Sequence, residues 1–308
     1  MRRILIGYDG SARGDDALAL GRTLARAAGD PEIVVATVYP ALLPADSHGT
    51  PSLREERLRH EAVATLERAR AAWPQLPEGA FVALRASSPS AGLQRRAAED
   101  DAEVIVVGAS HRRGLGRIFA GSATEQTLQG APRPVAVAPP GYAAAHPDGA
   151  PLARIGVGYD GGAEARHALE LAAALAVAAG ASVELIAVVH PEGLPLTEAY
   201  GYGSFIEAMR EQAERELAGG RALLERQGVA RVVGTRREGV PSRELVAAGE
   251  RLDLLVLGSR SHGPALRLLL GSTSARVVRE APCPVLVLPR SAAPERLGDG
   301  REGAPERA

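Results

Sequence analysis

Residues 254–289 read LLVLGSRSHGPALRLLLGSTSARVVREAPCPVLVLP, and this stretch decides the fold. An apolar run, 254–257, stops at Gly258. A polar, arginine-bearing loop follows, then Gly271-Ser272-Thr273-Ser274, a short helical pattern, and a second apolar run at 285–288 bracketed by prolines. Short apolar runs bounded by turn residues are the pattern of buried parallel strands. The Gly-Ser-Thr-Ser opening places hydroxyls and free backbone N–H groups at a helix start, where anions bind most readily.

The arrangement occurs again upstream, at 105–138, as IVVGASHRRGLGRIFAGSATEQTLQGAPRPVAVA. Gly108 stands where Gly258 stands, and Gly121-Ser122 where Gly271-Ser272 stand. Two apolar strands open the halves, 4–6 and 155–157, ending in Gly7-Tyr8-Asp9-Gly10-Ser11 and Gly158-Tyr159-Asp160-Gly161-Gly162. Helical faces follow with matched residues, Ala17, Leu20, Leu24 and Ala28 against Ala168, Leu171, Leu175 and Ala179. The helices are expected to end at Gly29 and Gly180. β-Branched runs at 33–38 and 183–189 stop at Pro40 and Pro191, with no gap in the alignment from Asp9 and Asp160 onward.

Loops at 40–51 and 191–203 lead into long charged helices near 53–73 and 205–227. Third strands are expected near 81–85 and 231–236, each followed by a helix that Pro-Ser opens, at Pro89 and Pro241. Each half therefore reads β-α-β-α-β-α-β-α-β, the order of a doubly wound parallel sheet with helices on both faces. The domains are 1–140 and 154–290, with a Pro/Gly-rich linker at 141–153 whose length suits closely packed halves. The polar, Gly- and Pro-rich tail, 291–308, is expected to be disordered.

Composition closes several routes. The net charge of −1 gives no bulk attraction to nucleic acid or to an acidic membrane. The chain has no lysine, which excludes the P-loop pattern. The single cysteine, Cys283, excludes an internal disulfide and is read as a packed thiol. The N-terminal apolar run is too short for a signal peptide and nothing approaches a membrane span, so the expectation is a soluble cytoplasmic protein. A dinucleotide fingerprint is missing, since the first turn reads GYDGSARG.

Ligands of open parallel sheets bind beyond the carboxyl ends of the strands, where strand order reverses. There a nucleotide would find Asp9 with Gly10 and Ser11, and Asp160 with Gly161, at the end of the first strand. Backbone beside Val38 and Val189 would meet an adenine edge. Gly108 and Gly258 would let backbone approach phosphates. The helix starts Gly121-Ser122-Ala123-Thr124 and Gly271-Ser272-Thr273-Ser274 would hold phosphate oxygens. Arg112, Arg113, Arg260 and Arg267 are outer clamps. Asp9 and Asp160 can also serve only as helix caps, and so can the Gly-Ser pairs. Tyr39 and His190 are expected as pocket walls, and His111 and His262 as loop residues.

These motifs carry a resemblance. The GYDGS opening, the strand-end glycine loop leading to Gly-Ser, and the closing APxPVxVxP are similar to those of the universal stress proteins, in a tandem arrangement over about 2–140 and 153–290. The resemblance implies two five-stranded domains of the adenine nucleotide alpha hydrolase-like, Rossmann-like type. It also implies ATP, with or without Mg2+, as ligand, and a regulatory, non-catalytic stress role. In the ATP-binding branch the loop reads G-x2-G-x9-G-[ST]. Here the middle glycine is replaced by His111 in one half and Ser261 in the other, which are counted with Arg260 among the candidate nucleotide-binding residues, with Gly114 and Gly263 displaced downstream. The family commonly dimerises through its fifth strands, which implies that 134–138 and 284–288 pair within one chain as a pseudo-dimer, or that two chains form a homodimer. The other readings are an interaction module with vestigial pockets, and a weak ATPase that phosphorylates itself on Ser122 or Ser272.

Overall fold

A computed structural model describes residues 1–41, 53–109, 123–190, 202–259 and 271–289. The first half runs β1 (Arg3–Gly7), α1 (Ala12–Ala28), β2 (Glu32–Pro40), α2 (Leu53–Ala72), β3 (Phe81–Ala86), α3 (Pro89–Glu99), β4 (Val104–Gly108), α4 (Ala123–Leu128) and β5 (Val135–Ala138). A short helix, α5 (Tyr142–Ala145), lies between the halves. The second half repeats the order as β6 (Arg154–Gly158), α6 (Ala163–Ala179), β7 (Ser182–Val189), α7 (Tyr202–Arg226), β8 (Val232–Glu238), α8 (Pro241–Ala248), β9 (Leu254–Gly258), α9 (Ser272–Glu280) and β10 (Val285–Leu288). The tail at 291–308 lies outside the described residues.

The local signals act where the sequence places them. Gly29 and Gly180 close α1 and α6 in the left-handed conformation, with φ of 76° and 66°. Pro89 and Pro241 open α3 and α8, and the Ser88 side chain accepts the Ala91 N–H as an N-cap. Alternation along buried strands sends Ile4, Ile6, Val104 and Val106 into one core and Leu5, Ile105 and Val107 into the other. Both cores run through the two halves, so the helices cover both faces of the sheet.

Each half has its own parallel sheet in the order 3-2-1-4-5, and the two join edge to edge as one ten-stranded sheet, β3-β2-β1-β4-β5-β10-β9-β6-β7-β8. The seam is antiparallel, with Val137, Ala136 and Val135 opposite Val285, Leu286 and Val287. The fifth strands thus pair within the chain. An edge rich in Val and Leu is covered in this way. Pro282 and Cys283 sit beside the seam, and burial pushes the Cys283 thiol up to about 12, which leaves it protonated and packed.

The linker is held down by the first half. Asp16, 2% exposed, accepts the N–H groups of Gly141 and Ala143 at 3.0 and 2.8 Å. Thr23 Oγ1 lies 2.9 Å from the Tyr142 hydroxyl and accepts the Ala150 N–H at 2.8 Å. Arg22 donates to the carbonyls of Pro147 and Ala72 while its guanidinium stacks 5.1 Å above the Trp73 ring. None of these residues recurs in α6, where Ala173 and Ala174 stand at the places of Arg22 and Thr23. The repeat is therefore asymmetric: α1 carries the linker.

Candidate nucleotide site

The strand order reverses between β1 and β4 and again between β6 and β9. A crevice opens at each reversal, as open α/β sheets require.

The second crevice has a volume of about 670 Å³. Its floor is Gly158, Leu257 and Gly258 at the strand ends. One wall is Asp160 with Glu164 and Ala165 of α6, the other Pro241 and Leu245 of α8, and Ile186 and Val188 close the back. Gly271, Ser272, Thr273 and Ser274 open α9 directly onto it, and α9 runs for 9 residues. Beside it a slot of about 350 Å³ is lined by Val188, Val189, Phe205, Met209 and Asp160. Asp160 and Val188 thus border both spaces. Asp160 Oδ1 accepts the Gly162 N–H at 3.0 Å, a turn that fixes the carboxylate at the crevice mouth.

The first crevice is a remnant of about 120 Å³, lined among others by Asp9, Arg13, Val38, Gly108, Ala123 and Thr124. Arg13 lines it and pairs with Asp9, with its Nη2 2.8 Å from Asp9 Oδ2. Asp9 Oδ1 meanwhile accepts the Ser11 N–H at 3.0 Å and the Ser11 hydroxyl. Burial pushes the Asp9 carboxyl up, but the Ser11 hydrogen bonds and Arg13 outweigh it and hold the group below the usual carboxylate range. Burial, with the Asp15 carboxylate accepting its O–H at 3.1 Å, pushes the neighbouring Tyr8 hydroxyl up to about 12.

Several sequence expectations change here. Gly108 and Gly258 line the two crevices as expected, and on the side a Cβ would occupy each packs against the first helix of its half, α1 or α6. A Cβ on Gly108 would lie 2.7 Å from the Arg13 carbonyl carbon, and one on Gly258 2.7 Å from Glu164 C and O. The Thr124 hydroxyl donates to the Gly108 carbonyl at 2.8 Å, so its one proton is committed to the strand end and not to a phosphate. Gly10 and Ser11 shape the turn without lining the first cavity. Gly161 faces Glu216, outside the second cavity, and Val189 lines the side slot. Tyr39 and His190 line neither crevice; His190 Nδ1 lies 3.0 Å from the Gly239 carbonyl oxygen. His111, Gly121, Ser122, Arg260 and Ser261 fall in 110–122 and 260–270, outside the described residues, together with Arg112, Arg113, Arg267 and His262.

The structure also adds residues that the motif reading missed: Arg13, Glu164, Tyr159, Leu245, Phe205 and Met209. For Arg13 and Glu164 a signal existed, since both are the fourth residue after the strand-end Asp. Phe205 and Met209 had none beyond helical spacing on a charged helix. Among the described residues no helix is long and apolar enough to cross a membrane.

Known proteins agree with this architecture. A sequence model of the universal stress protein family matches residues 1–139 and 152–289. A universal stress protein of Thermus aquaticus is 39% identical over 135 residues, 42% of this chain and 93% of that protein. A tandem relative in Mycobacterium tuberculosis is 29% identical over 311 residues, 93% of this chain and 99% of its own. Among solved structures, a universal stress protein from Archaeoglobus fulgidus covers 94% of this chain and 97% of its own at 20% identity, with a TM-score of 0.65. A protein of unknown function from Pseudomonas aeruginosa covers 94% of this chain and 92% of its own at 17% identity, with a TM-score of 0.58. Both structural likenesses concern the fold. With the family matched twice along one continuous sheet, the chain belongs to the universal stress protein family.

Proposed function

We propose that this protein binds an adenine nucleotide in its second crevice and acts in the stress response as a regulator, not as a catalyst. The observation that carries the reading is the shape of that crevice: about 670 Å³ beneath the start of α9, sharing Tyr159, Asp160 and Val188 with a neighbouring apolar slot. The slot between Val188, Phe205 and Met209 offers an aromatic base the apolar walls it needs. The first turn of α9 offers phosphate its unpaired N–H groups and the positive end of the helix dipole. Ser272 and Thr273 add hydroxyls there, and both line the cavity. The first crevice, about 120 Å³ with Asp9 and Arg13 paired in its lining, serves the architecture of its half.

Thr273→Glu separates binding from folding. A carboxylate in the first turn of α9 favours the helix but opposes phosphate. Isothermal titration calorimetry with Mg-ATP should give an affinity on the order of tenfold weaker than the natural protein, from one added charge roughly 6 Å from the phosphate site, with an unchanged melting curve. Equal affinities in the two proteins, or no adenine nucleotide bound at millimolar concentration, would remove this function.

A further inference from the structure

One wall of each crevice comes from the helix that Pro89 or Pro241 opens, and these helices differ at one position over the same floor. Pro89, Ser90 and Leu93 of α3 recur as Pro241, Ser242 and Leu245 of α8, and Gly92 stands where Glu244 stands. Pro89 and Leu93 line the first crevice, Pro241 and Leu245 the second. Beneath them, Gly7 pairs with Ala36 and Gly158 with Ile186, with one residue fewer between the second two. Val38 of β2 and Val188 of β7 are therefore equivalents, and each lines its own crevice.

In the first half the differing position has no room for a side chain. A Cβ on Gly92 would lie 2.9 Å from both methyl carbons of Val38 and 3.1 Å from the Ala86 Cβ, so α3 rests its backbone on the sheet. Leu93 comes down with it. Its Cδ1 would lie 2.8 Å from a Cβ on Gly7, whereas the nearest Leu245 carbon would lie 3.4 Å from one on Gly158. In the second half a glutamate sits above an equivalent valine, which requires the backbone of α8 to stand farther off. The surroundings of Glu244 change to match. Val38 pairs with Leu84, but Val188 pairs with Arg237, and Gly239 replaces Ala86 two residues on. Glu244 Oε2 lies 3.3 Å from Arg237 Nη1, and its Oε1 would lie 3.0 Å from a Cβ on Gly239. The Arg237 and Glu244 side chains are 19% and 29% exposed, and Arg237 Nε is buried with no hydrogen-bond partner among the described residues. A half-buried ion pair with an orphaned N–H is a costly filling where Leu84 and Gly92 serve in the first half.

Resting on the nucleotide reading of the second crevice, we infer that the Glu244–Arg237 pair is a strut. It holds α8 off Val188 and so keeps this crevice open at about 670 Å³, while the first, without a strut, closes to about 120 Å³. Neither side chain lines the crevice or its side slot. Both are positioning residues that act through Pro241 and Leu245.

The experiment is calorimetric titration of the full chain with Mg-ATP, in the parent and in double variants that leave the net charge unchanged. Arg237→Leu/Glu244→Gly installs the residues of the first half. With α8 settled on Val188, a crevice closed about nine-tenths of the time binds about tenfold more weakly. Its melting temperature should not fall, because apolar packing replaces a half-buried ion pair. If the glycine itself lowers the melt, Arg237→Met/Glu244→Ala has a better helix former at 244 and should lose about threefold. Arg237→Glu/Glu244→Arg rebuilds the strut with its charges exchanged and should bind within about threefold of the parent. Parent affinity in the apolar variants, or an exchanged pair as weak as they are, overturns the strut while leaving nucleotide binding intact. No binding of Mg-ATP by the parent overturns both.

Discussion

Gly258→Val is expected to lower the melting temperature by on the order of 10 °C, and Gly108→Val to do the same. A side chain at either glycine would enter backbone, which cannot rotate aside as a flexible side chain can. The new Cβ on Gly258 would stand 2.7 Å from both the carbonyl carbon and oxygen of Glu164. On Gly108 it would stand 2.7 Å from the Arg13 carbonyl carbon and 2.9 Å from its Cβ. The only relief is to lift the first turn of α1 or α6 off the sheet. Those helices bury Ala17, Leu20 and Leu24, or Ala168, Ala172 and Leu175, so lifting them opens the core. Overpacking of this kind costs about 3 kcal/mol or more, and a cooperative unit of this size loses about 2–4 °C for each kcal/mol. Gly79→Ala is the control, because nothing lies within 4 Å of its Cβ position. Thermal melts followed by circular dichroism read all three, and Gly258→Val melting with the Gly79 control would contradict the packing role.

Leu286→Asp should have the second large effect. Leu286 is fully buried, faces Ala136 across the antiparallel seam and sits in the middle of the ten strands. A carboxylate there has no partner, and its burial costs several kcal/mol even after the group takes up a proton. The two cores cross the seam through Val135, Val137, Val285 and Val287 on one face and Ala136, Ala138, Leu286 and Leu288 on the other. We expect the single unfolding transition to split or to fall by about 4 kcal/mol, with self-association of the exposed strand edges. Denaturant titration and size-exclusion chromatography check this. A variant with the parent midpoint and elution volume would show that the halves do not depend on the seam.

The fold was legible because each half repeats the same punctuation. Apolar runs ending at Gly7, Gly108, Gly158 and Gly258, with proline after the second strands, leave little choice but alternating β and α. The seam was legible from the resemblance together with the apolar edge that 134–138 and 284–288 would otherwise expose. The linker was read only by its prolines and glycines, so α5 was missed; Tyr142-Ala143-Ala144-Ala145 forms a turn of helix because Tyr142 finds Thr23 and a buried seat.

The site was less legible, for physical reasons. A motif specifies which backbone turns recur, and these were placed at the crevices. It does not specify which side chains consume each other's hydrogen bonds. Asp9 is occupied by Ser11 and Arg13, and Thr124 by the Gly108 carbonyl, facts that depend on distances no spacing reveals.

The measurement that bears most directly on the account is the identity and amount of small molecule released when the purified protein, saturated with adenine ligand and desalted, is denatured. A single occupied crevice predicts one adenine ligand per chain. Two per chain would contradict binding in the second crevice alone, and none, with no thermal shift on adding Mg-ATP, would contradict nucleotide binding itself.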